Sequence, residues 1–379
     1  SQTGMLDRLR GEADLTVLSV VPDPEAFADL ARRHGRVLPL ASAPEPYTVR
    51  ILRELLDMAH GRHLWSAAAR ERWRLRDREA VTPRDRLFRA GRKALAVPFA
   101  SASGVRVLER MERGMSRWRS PRAPYDRLYG EHRPDLVFNG SHVHSAVAIQ
   151  AIQTAQWLGI PTATFIFSWD NLTSQGRVMP AYDWYLVWNE ELRTQLLQIY
   201  PHVDPARVLV TGTPQFDMHF DPATHWSRAD FCREVGADPA RPIVLYTTGM
   251  AHHMPGEPRI VEGIADALRA MPDLGPPQLL VRVYPKDRTG RFDALRARRP
   301  DILFPPARWV ERWLTPTPED NVLYTNTLRH TACGVNVAST VSLELCMFDV
   351  PAINVAYDPP DEPDVRVPFA RFYTYDHYA

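Results

Sequence analysis

Residues 334–351, GVNVASTVSLELCMFDVP, decide the fold of this chain. A β-branched apolar run ends at Ala338, two hydroxyl residues follow, and a helical pattern begins directly after them. A short buried strand followed by a helix is the repeating unit of a parallel sheet. Ser339 or Thr340 is suited to cap that helix, whose free amides and positive dipole end favour an anionic phosphate. Glu344 lies one turn further on, within reach of a ribose hydroxyl, although an ordinary capped helix has the same pattern.

The same alternation of short apolar runs and helical patterns fills the rest of the C-terminal half. This alternation predicts βαβ units in a parallel sheet. The predicted strands are 242–247, 278–284, 321–325, 334–338 and 351–356, and the predicted helices are 257–271, 291–298 and 340–348.

The N-terminal half repeats the pattern less regularly. Its predicted strands are 14–21, 36–40, 135–138, 162–167, 183–188 and 207–211, and its predicted helices are 24–33, 47–60, 144–157 and 190–199. Residues 61–128 have no strand pattern and are expected to form two or three helices, broken near Pro83 and Pro121. We therefore predict an α/β fold of two Rossmann-like domains, 1–215 with 61–128 inserted and 225–379, that face a central cleft. In such sheets ligands bind at the carboxyl ends of the strands.

Composition narrows the classes of function. Lys plus Arg number 46 and Asp plus Glu 45 in 379 residues, so net charge gives no reason to expect nucleic-acid binding. The three cysteines include no CxxC pair, which argues against a disulfide framework and a structural zinc site. The sequence has no signal peptide and no run of about 18 apolar residues, and we expect a cytoplasmic protein. Both ends of the sequence look incomplete, as a missing first strand, missing terminal helices or a truncated chain would explain.

Two further segments of the C-terminal half follow predicted strands. In 281–288, VRVYPKDR, Arg282 and Lys286 are suited to neutralise a diphosphate, although solvated cations at a strand end have the same pattern. In 246–253, YTTGMAHH, Thr248 and Gly249 form a turn. The adjacent histidines of that segment are poorly placed to share one ion, and no metal is expected.

The N-terminal half carries its own polar segments after strands. In 166–176, IFSWDNLTSQG, Trp169 and Asn171 suit sugar recognition, and Asp170 is a candidate general base. A structural Asx-turn is the alternative.

The segment 139–145, NGSHVHS, adds His142 as a second candidate base and His144 as an acceptor contact. Capping or packing is the alternative for either histidine.

The hydroxyl residues, Glu344 and Pro351 together resemble the C-terminal domain of the GT-B superfamily. That superfamily includes nucleotide-sugar glycosyltransferases, UDP-N-acetylglucosamine 2-epimerases and CDP-glycerol glycerophosphotransferases. The resemblance implies that Ser339 and Thr340 hold the diphosphate and that Glu344 binds ribose, with Ala338 and Ser339 standing where many relatives have a glycine pair. The full set of implied nucleotide and diphosphate contacts is Thr248, Gly249, Arg282, Lys286, Thr325, Asn326, Ser339, Thr340 and Glu344.

The SWDN loop, with 187–191 (VWNEE) and 210–217 (VTGTPQFD), resembles a group of bacterial GT-B-like proteins from surface-polysaccharide gene clusters. This resemblance covers roughly 130–217. It implies a metal-independent glycosyltransferase that uses a nucleotide sugar as co-substrate, needs no cofactor, and acts on a glycan or lipid-linked acceptor. The alternatives are a 2-epimerase-like enzyme, a glycerophosphotransferase and a non-catalytic nucleotide-sugar binding protein.

The arginine-rich stretch 68–122 interleaves cations with large apolar side chains such as Trp118 and Met111. Such helices can lie on an anionic membrane surface. The alternative is a set of solvated helix faces in which acids such as Glu109 and Glu112 pair with the arginines.

Overall fold

The computed structural model describes residues 4–9, 11–20, 28, 30–33, 35–40, 43–140, 146–271, 275–312, 314–360 and 366–378. Two four-stranded sheets, each built from parallel strands, organise this part of the chain. The α/β class with parallel sheets is therefore confirmed.

The first described elements are helix α1 (Met5–Leu9) and strands β1 (Thr16–Ser19) and β2 (Arg36–Pro39). The two strands pair in parallel, as the predicted βαβ unit requires. Within the described residues this pair forms a sheet separate from the four-stranded one that follows. Residues 24–27 and 29 of the predicted helix 24–33 lie outside the described residues.

A group of helices follows: α2 (Tyr47–Leu64), α3 (Ala67–Glu79), α4 (Pro83–Ala96), α5 (Ala102–Arg119) and α6 (Ala123–His132). The predicted breaks near Pro83 and Pro121 are confirmed, and three helices, α3, α4 and α5, lie wholly within 61–128 as expected. A further break falls at 97–101, where Ser101 caps α5 by accepting from the amide of Gly104. Ser66 and Thr82 cap α3 and α4 in the same way, so hydroxyl caps decide where this arginine-rich stretch is divided.

The N-terminal four-stranded sheet has the order β3 (Val137–Asn139), β4 (Thr162–Phe165), β5 (Trp184–Val187) and β6 (Val208–Val210). Helices α7 (Ile149–Trp157), α8 (Asn171–Ser174) and α9 (Glu190–Ile199) lie between these strands. Ile152, Tyr185 and Leu196 are among the buried residues that pack the sheet against its helices. All four strand predictions for this region are confirmed.

The C-terminal elements are α10 (Arg228–Val235), β7 (Ile243–Thr247), α11 (Glu257–Arg269), β8 (Gln278–Arg282), α12 (Asp293–Arg298), β9 (Trp309–Val310), β10 (Thr315–Pro316), α13 (Pro318–Arg329), β11 (Cys333–Asn336), α14 (Val341–Cys346), β12 (Ala352–Asn354) and α15 (Phe369–Phe372). The sheet order is β12-β11-β7-β8, all parallel. Strands β9 and β10 form a separate antiparallel pair.

The predicted strand 321–325 is wrong, because these residues lie inside α13. Thr317 caps the helix by accepting from the amide of Asp320, and Pro318 occupies its first turn. Tyr324 and Leu328, four residues apart, then pack into the same core cluster as the buried Leu323. The capping signal and the helical spacing outweigh the strand propensity of the short NVLYT run.

Candidate functional site

The carboxyl ends of the two large sheets meet at one side-chain contact. Trp169 follows β4, and its indole Nε1 lies 3.4 Å from the Oγ1 of Thr340, which follows β11. The structure thus brings together two segments that the sequence selected independently, one in each half of the chain. Trp169 and Thr340 are both partly buried.

Hydroxyl groups hold the Asp170 carboxylate within the SWDN loop. Ser168 Oγ donates to one carboxylate oxygen at 2.5 Å and Ser174 Oγ to the other at 2.6 Å. Asn171 Oδ1 accepts from the amide of Ser168 at 3.0 Å and closes the turn. The loop is therefore an ordered turn with a fixed carboxylate orientation. Catalysis by Asp170 and acceptor binding by Asn171 stay predictions.

His377 and Tyr378 pack on this loop. His377 Nδ1 lies 2.9 Å from the hydroxyl of Thr173. The rings of His377 and Tyr378 stand edge-on to Trp169, at centroid distances of 5.0 and 5.1 Å. Burial lowers the pKa of His377, and the negative charge of Asp170 opposes that shift. The aromatic density of residues 372–378 was the only signal in the sequence for this packing.

The turn between β11 and α14 has a backbone that favours glycine. Ala338 has φ of 44°, in the left-handed region. Its amide donates to the Tyr373 hydroxyl at 3.0 Å. Ser339 Oγ accepts from the amide of Val341 at 3.3 Å, whereas the Thr340 side chain makes no capping bond. Ser339 is thus the hydroxyl that caps α14, and Thr340 faces Trp169.

Glu344 is buried and held by two partners. Its carboxylate lies 3.1 Å from His219 Nε2 and accepts from the Tyr324 hydroxyl at 2.8 Å. His219 is completely buried, and its Nδ1 lies 2.9 Å from Thr325 Oγ1. Burial, and then the charge of Glu344, raises the pKa of Tyr324 well above its usual value. Sequence reasoning missed His219 and Tyr324, since neither belongs to the motif of Glu344.

Thr325 and Asn326 lie on α13 rather than after a strand. Asn326 is buried, and its amide nitrogen donates to the carbonyls of Thr224 and Val322 at 2.8 Å each. Its Oδ1 accepts from the amide of Trp226 at 2.8 Å. These bonds attach the segment leading into the C-terminal sheet to α13. A nucleotide-binding role for either residue stays a prediction.

Thr248 and Gly249 form the turn after β7, and protein groups use their polar atoms. Thr248 Oγ1 accepts from the amide of Tyr284 at 2.8 Å, which joins the ends of β7 and β8. The amide of Gly249 donates to both carboxylate oxygens of Glu257 at 3.0 Å. A Cβ at Gly249 would overlap the Sδ of Met254, so a larger residue here would require the Met254 side chain to move.

The predicted cations differ in exposure. Arg282 Nη2 lies 2.6 Å from Asp320 Oδ2, and its guanidinium stands 4.8 Å from the centre of the Tyr324 ring. Both members of this ion pair are largely buried. Lys286 is exposed to solvent. Lys286 is therefore the more accessible of the two cations.

His142 and His144 lie outside the described residues. Within the residues that are described, no group of three or more His, Cys, Asp or Glu side chains could hold a metal ion. No helix in the same part of the chain is both long and apolar enough to cross a bilayer.

No family model and no curated protein matches this sequence. Among solved structures, the chain is similar to a glycosyltransferase from Rickettsia africae ESF-5, with 10% identity, 98% of this chain and 87% of that chain covered, and a TM-score of 0.48. It is also similar to a UDP-GlcNAc 2-epimerase from Neisseria meningitidis bound to UDP-GlcNAc, with 13% identity, 72% and 70% covered, and a TM-score of 0.44. A UDP-GlcNAc 2-epimerase from Methanocaldococcus jannaschii gives 15% identity, 68% and 69% covered, and a TM-score of 0.43. The α/β class rests on the parallel sheets of the chain itself.

Proposed function

We propose that this chain is a GT-B glycosyltransferase that transfers a sugar from a nucleotide-activated donor to a glycan or lipid-linked acceptor. The contact between Trp169 and Thr340 carries the proposal. It joins the carboxyl ends of two parallel sheets, and the carboxyl edge of such sheets is where ligands bind. The donor would lie at residues 337–341 and the acceptor beside the SWDN loop. The biological setting that we propose is cytoplasmic synthesis of a bacterial surface polysaccharide.

Each group at this edge would have a distinct task in the transfer. The hydroxyls of Ser168 and Ser174 orient the Asp170 carboxylate, which would take the proton from an acceptor hydroxyl. Lys286, as the exposed cation, would contact the leaving diphosphate and stabilise its developing charge. Glu344 would accept a hydrogen bond from ribose while His219 holds it in place. Much of the rate enhancement would come from holding donor and acceptor together.

A binding experiment tests the donor site. Titration of a panel of nucleotide sugars into the protein should identify at least one that binds. Thr340→Val and Glu344→Gln should each weaken binding of that ligand by about tenfold or more. The first removes a hydroxyl, and the second replaces a charged carboxylate acceptor with a neutral amide. Thr194→Val is the matched control, because Thr194 is an exposed threonine on α9 whose hydroxyl donates to the carbonyl of Glu190. Binding that is equal in the wild type and in both site variants would contradict the proposal.

A second candidate is a nucleotide-sugar binding protein without transferase activity. Two groups expected to contact the diphosphate already have buried partners: Arg282 pairs with Asp320, and the Gly249 amide donates to Glu257. Product analysis separates the candidates. Free nucleoside diphosphate formed with an acceptor supports transfer, and binding without any product supports the second candidate. An altered sugar on its nucleotide would indicate epimerisation, and a released monophosphate would indicate glycerophosphotransfer or a CMP-sugar donor.

We also propose that α4 and α5 contact an anionic membrane surface. Exposed apolar side chains on these helices include Leu87, Leu95, Val107, Met111 and Trp118. Exposed arginines accompany them at positions 84, 86, 110, 113 and 117. The acids that the sequence offered as their partners are engaged elsewhere, since Glu109 pairs with Arg177 and Glu112 with Arg53. Apolar and cationic side chains on one surface are the features that bind anionic lipid.

Vesicle co-sedimentation tests this surface. The protein should sediment with vesicles that contain phosphatidylglycerol and remain in solution with pure phosphatidylcholine, because binding combines apolar insertion with charge attraction. The double variant Leu87→Glu/Trp118→Glu should lose most of this binding. Leu158→Glu is the control and should bind as the wild type does, because Leu158 is exposed but lies outside α4 and α5. Sedimentation of the double variant at the wild-type level would exclude this surface as the membrane contact.

A further inference from the structure

A cavity of about 260 Å³ lies among the helices of the N-terminal half. It is lined by the last turns of α2 and α9, the first turn of α5, and the segment that follows the SWDN loop. Its polar lining is unusually basic and consists of His60, His63, Arg106, Arg177 and His202 with one amide, Gln198. None of the residues in the proposed donor or acceptor site lines it.

Arg177 is the buried cation of this cavity. Its side chain is only 3% exposed. Nη2 donates to Glu109 at 2.9 Å, and Nη1 lies 3.3 Å from His60 Nδ1. Nε is buried and has no hydrogen-bond partner in the described part of the chain. Buried donors in proteins are almost always paired, so this nitrogen is an unsatisfied donor in a residue that lines the cavity.

The charges around the cavity favour an anionic ligand. Glu109 is already bound to Arg177, whereas Arg106 extends from the first turn of α5 and is exposed. The positive end of the dipole of this long helix points toward the same space. Burial and the nearby cations Arg177 and Arg72 together lower the pKa of His60 to about 3. His60 is therefore neutral and accepts at Nδ1, which leaves its proton on Nε2.

We propose that this cavity binds a phosphate group carried by a small molecule or by a lipid headgroup. A guanidinium fork is matched to phosphate oxygens, and imidazole N–H groups can complete their coordination. The cavity is slightly smaller than the pockets that usually enclose drug-sized ligands, which fits a phosphate with a short organic substituent. This site is separate from the donor site and does not depend on the proposed transferase activity.

Residues 176–177 connect the cavity to the SWDN loop, which directly precedes them in the chain. The backbone amide of Arg177 donates to the Asp57 carboxylate at 2.9 Å. Gly176 approaches the same carboxylate so closely that a Cβ there would overlap it. The end of the SWDN segment is therefore fixed against α2 beside the cavity. A phosphate on Arg177 would further order the chain that carries Trp169 and Asp170.

Calorimetric titration of the full chain with inorganic phosphate tests the site. Glycerol 3-phosphate and glycerophosphoglycerol, a water-soluble lipid headgroup, serve as parallel probes. We expect Arg106→Gln and Arg177→Lys each to weaken phosphate binding by about fivefold or more, because the first removes a charge from the cavity lining and the second replaces the planar guanidinium with a single ammonium. Arg50→Gln, at an exposed arginine of α2 outside the cavity lining, should bind as the wild type does. Tighter binding of glycerol 3-phosphate assigns a phosphorylated metabolite, and tighter binding of glycerophosphoglycerol assigns a lipid.

Histidine side-chain NMR spectra locate the ligand. The resonances of His63 and His202, assigned with His63→Gln and His202→Gln, should shift during the phosphate titration. Nucleotide-sugar affinity should be unchanged in Arg106→Gln, which keeps the two sites distinguishable. The proposal is overturned if no probe binds, if Arg106→Gln and Arg177→Lys bind phosphate as tightly as the wild type, or if these histidines do not respond.

Discussion

Replacing Arg291 with methionine should lower the free energy of unfolding by about 3–5 kcal/mol at neutral pH. Arg291 Nη2 lies 2.8 Å from a carboxylate oxygen of Glu257, and its Nε lies 2.6 Å from Asp287. Glu257 is completely buried. The variant would leave its charge without a cation inside the protein. Denaturant unfolding measures the loss.

The same variant should show a characteristic pH dependence. Burial raises the pKa of Glu257, and the charge of Arg291 opposes that rise. Without Arg291 the folded-state pKa moves further above the unfolded value of 4.5. Because the folded state then binds more protons than the unfolded state, stability is retained near pH 4.5 and falls as the pH rises through the folded-state pKa. The deficit relative to wild type should therefore grow with pH.

Two further variants separate an unpaired charge from lost packing. Adding Glu257→Gln to Arg291→Met removes the completely buried one of the two carboxylate charges that Arg291 pairs with, and should recover about half of the loss, which a double-mutant cycle quantifies. Arg298→Met is the control, since Arg298 pairs with Glu262 at the surface and such pairs contribute about 0–1 kcal/mol. Equal losses for Arg291→Met and Arg298→Met would show that the buried pair has no special weight.

The effect should extend to the turn after β7. Arg291 Nη2 also donates to the carbonyl of Gly249 at 3.0 Å, and Nη1 bonds the carbonyl of Met254. Glu257 in turn accepts from the Gly249 amide. The conformation of 248–254 thus depends on an ion pair that the sequence did not reveal, because its members belong to α11 and to the segment before α12.

The parts of the fold that were predictable are those with local signals. The strands of both large sheets have short apolar runs with loop residues after them, and all of these strands except 321–325 are confirmed. Residues 321–325 have strand propensity, but the helix cap at Thr317 makes them part of α13. A capping bond joins two residues that are only three positions apart, so the local sequence contains the signal for this helix start.

The candidate site was only partly predictable, since its partners are distant in sequence. The contact between His219 and Glu344 joins residues 125 positions apart, and that between Thr173 and His377 joins residues 204 apart. No periodicity or spacing encodes such pairs. Motifs therefore identified which side chains carry polar chemistry, such as Asp170 and Glu344. Only the packing of the folded chain showed what holds them.

Replacing Arg53 with methionine should also cost about 3–5 kcal/mol of stability, for the same physical reason in a different part of the chain. Arg53 on α2 donates to the Glu112 carboxylate on α5 through Nε at 3.1 Å and Nη2 at 2.6 Å. Both side chains are at most 10% exposed. Gln153 on α7 donates to the same carboxylate at 3.3 Å. One buried charge thus joins the helical group to the helix beside the N-terminal sheet.

Hydrogen exchange followed by mass spectrometry would show which helices are destabilised in Arg53→Met. Amides of α2, α5 and α7 should exchange faster in Arg53→Met, because the uncompensated Glu112 would draw water into the interface between these helices. Arg50→Met, at an exposed arginine of the same helix, should leave both stability and exchange near the wild-type level. Adding Glu112→Gln to Arg53→Met should restore protection in α5. If protection instead stays low in the double variant, the packing of the arginine stem rather than its charge holds these helices together.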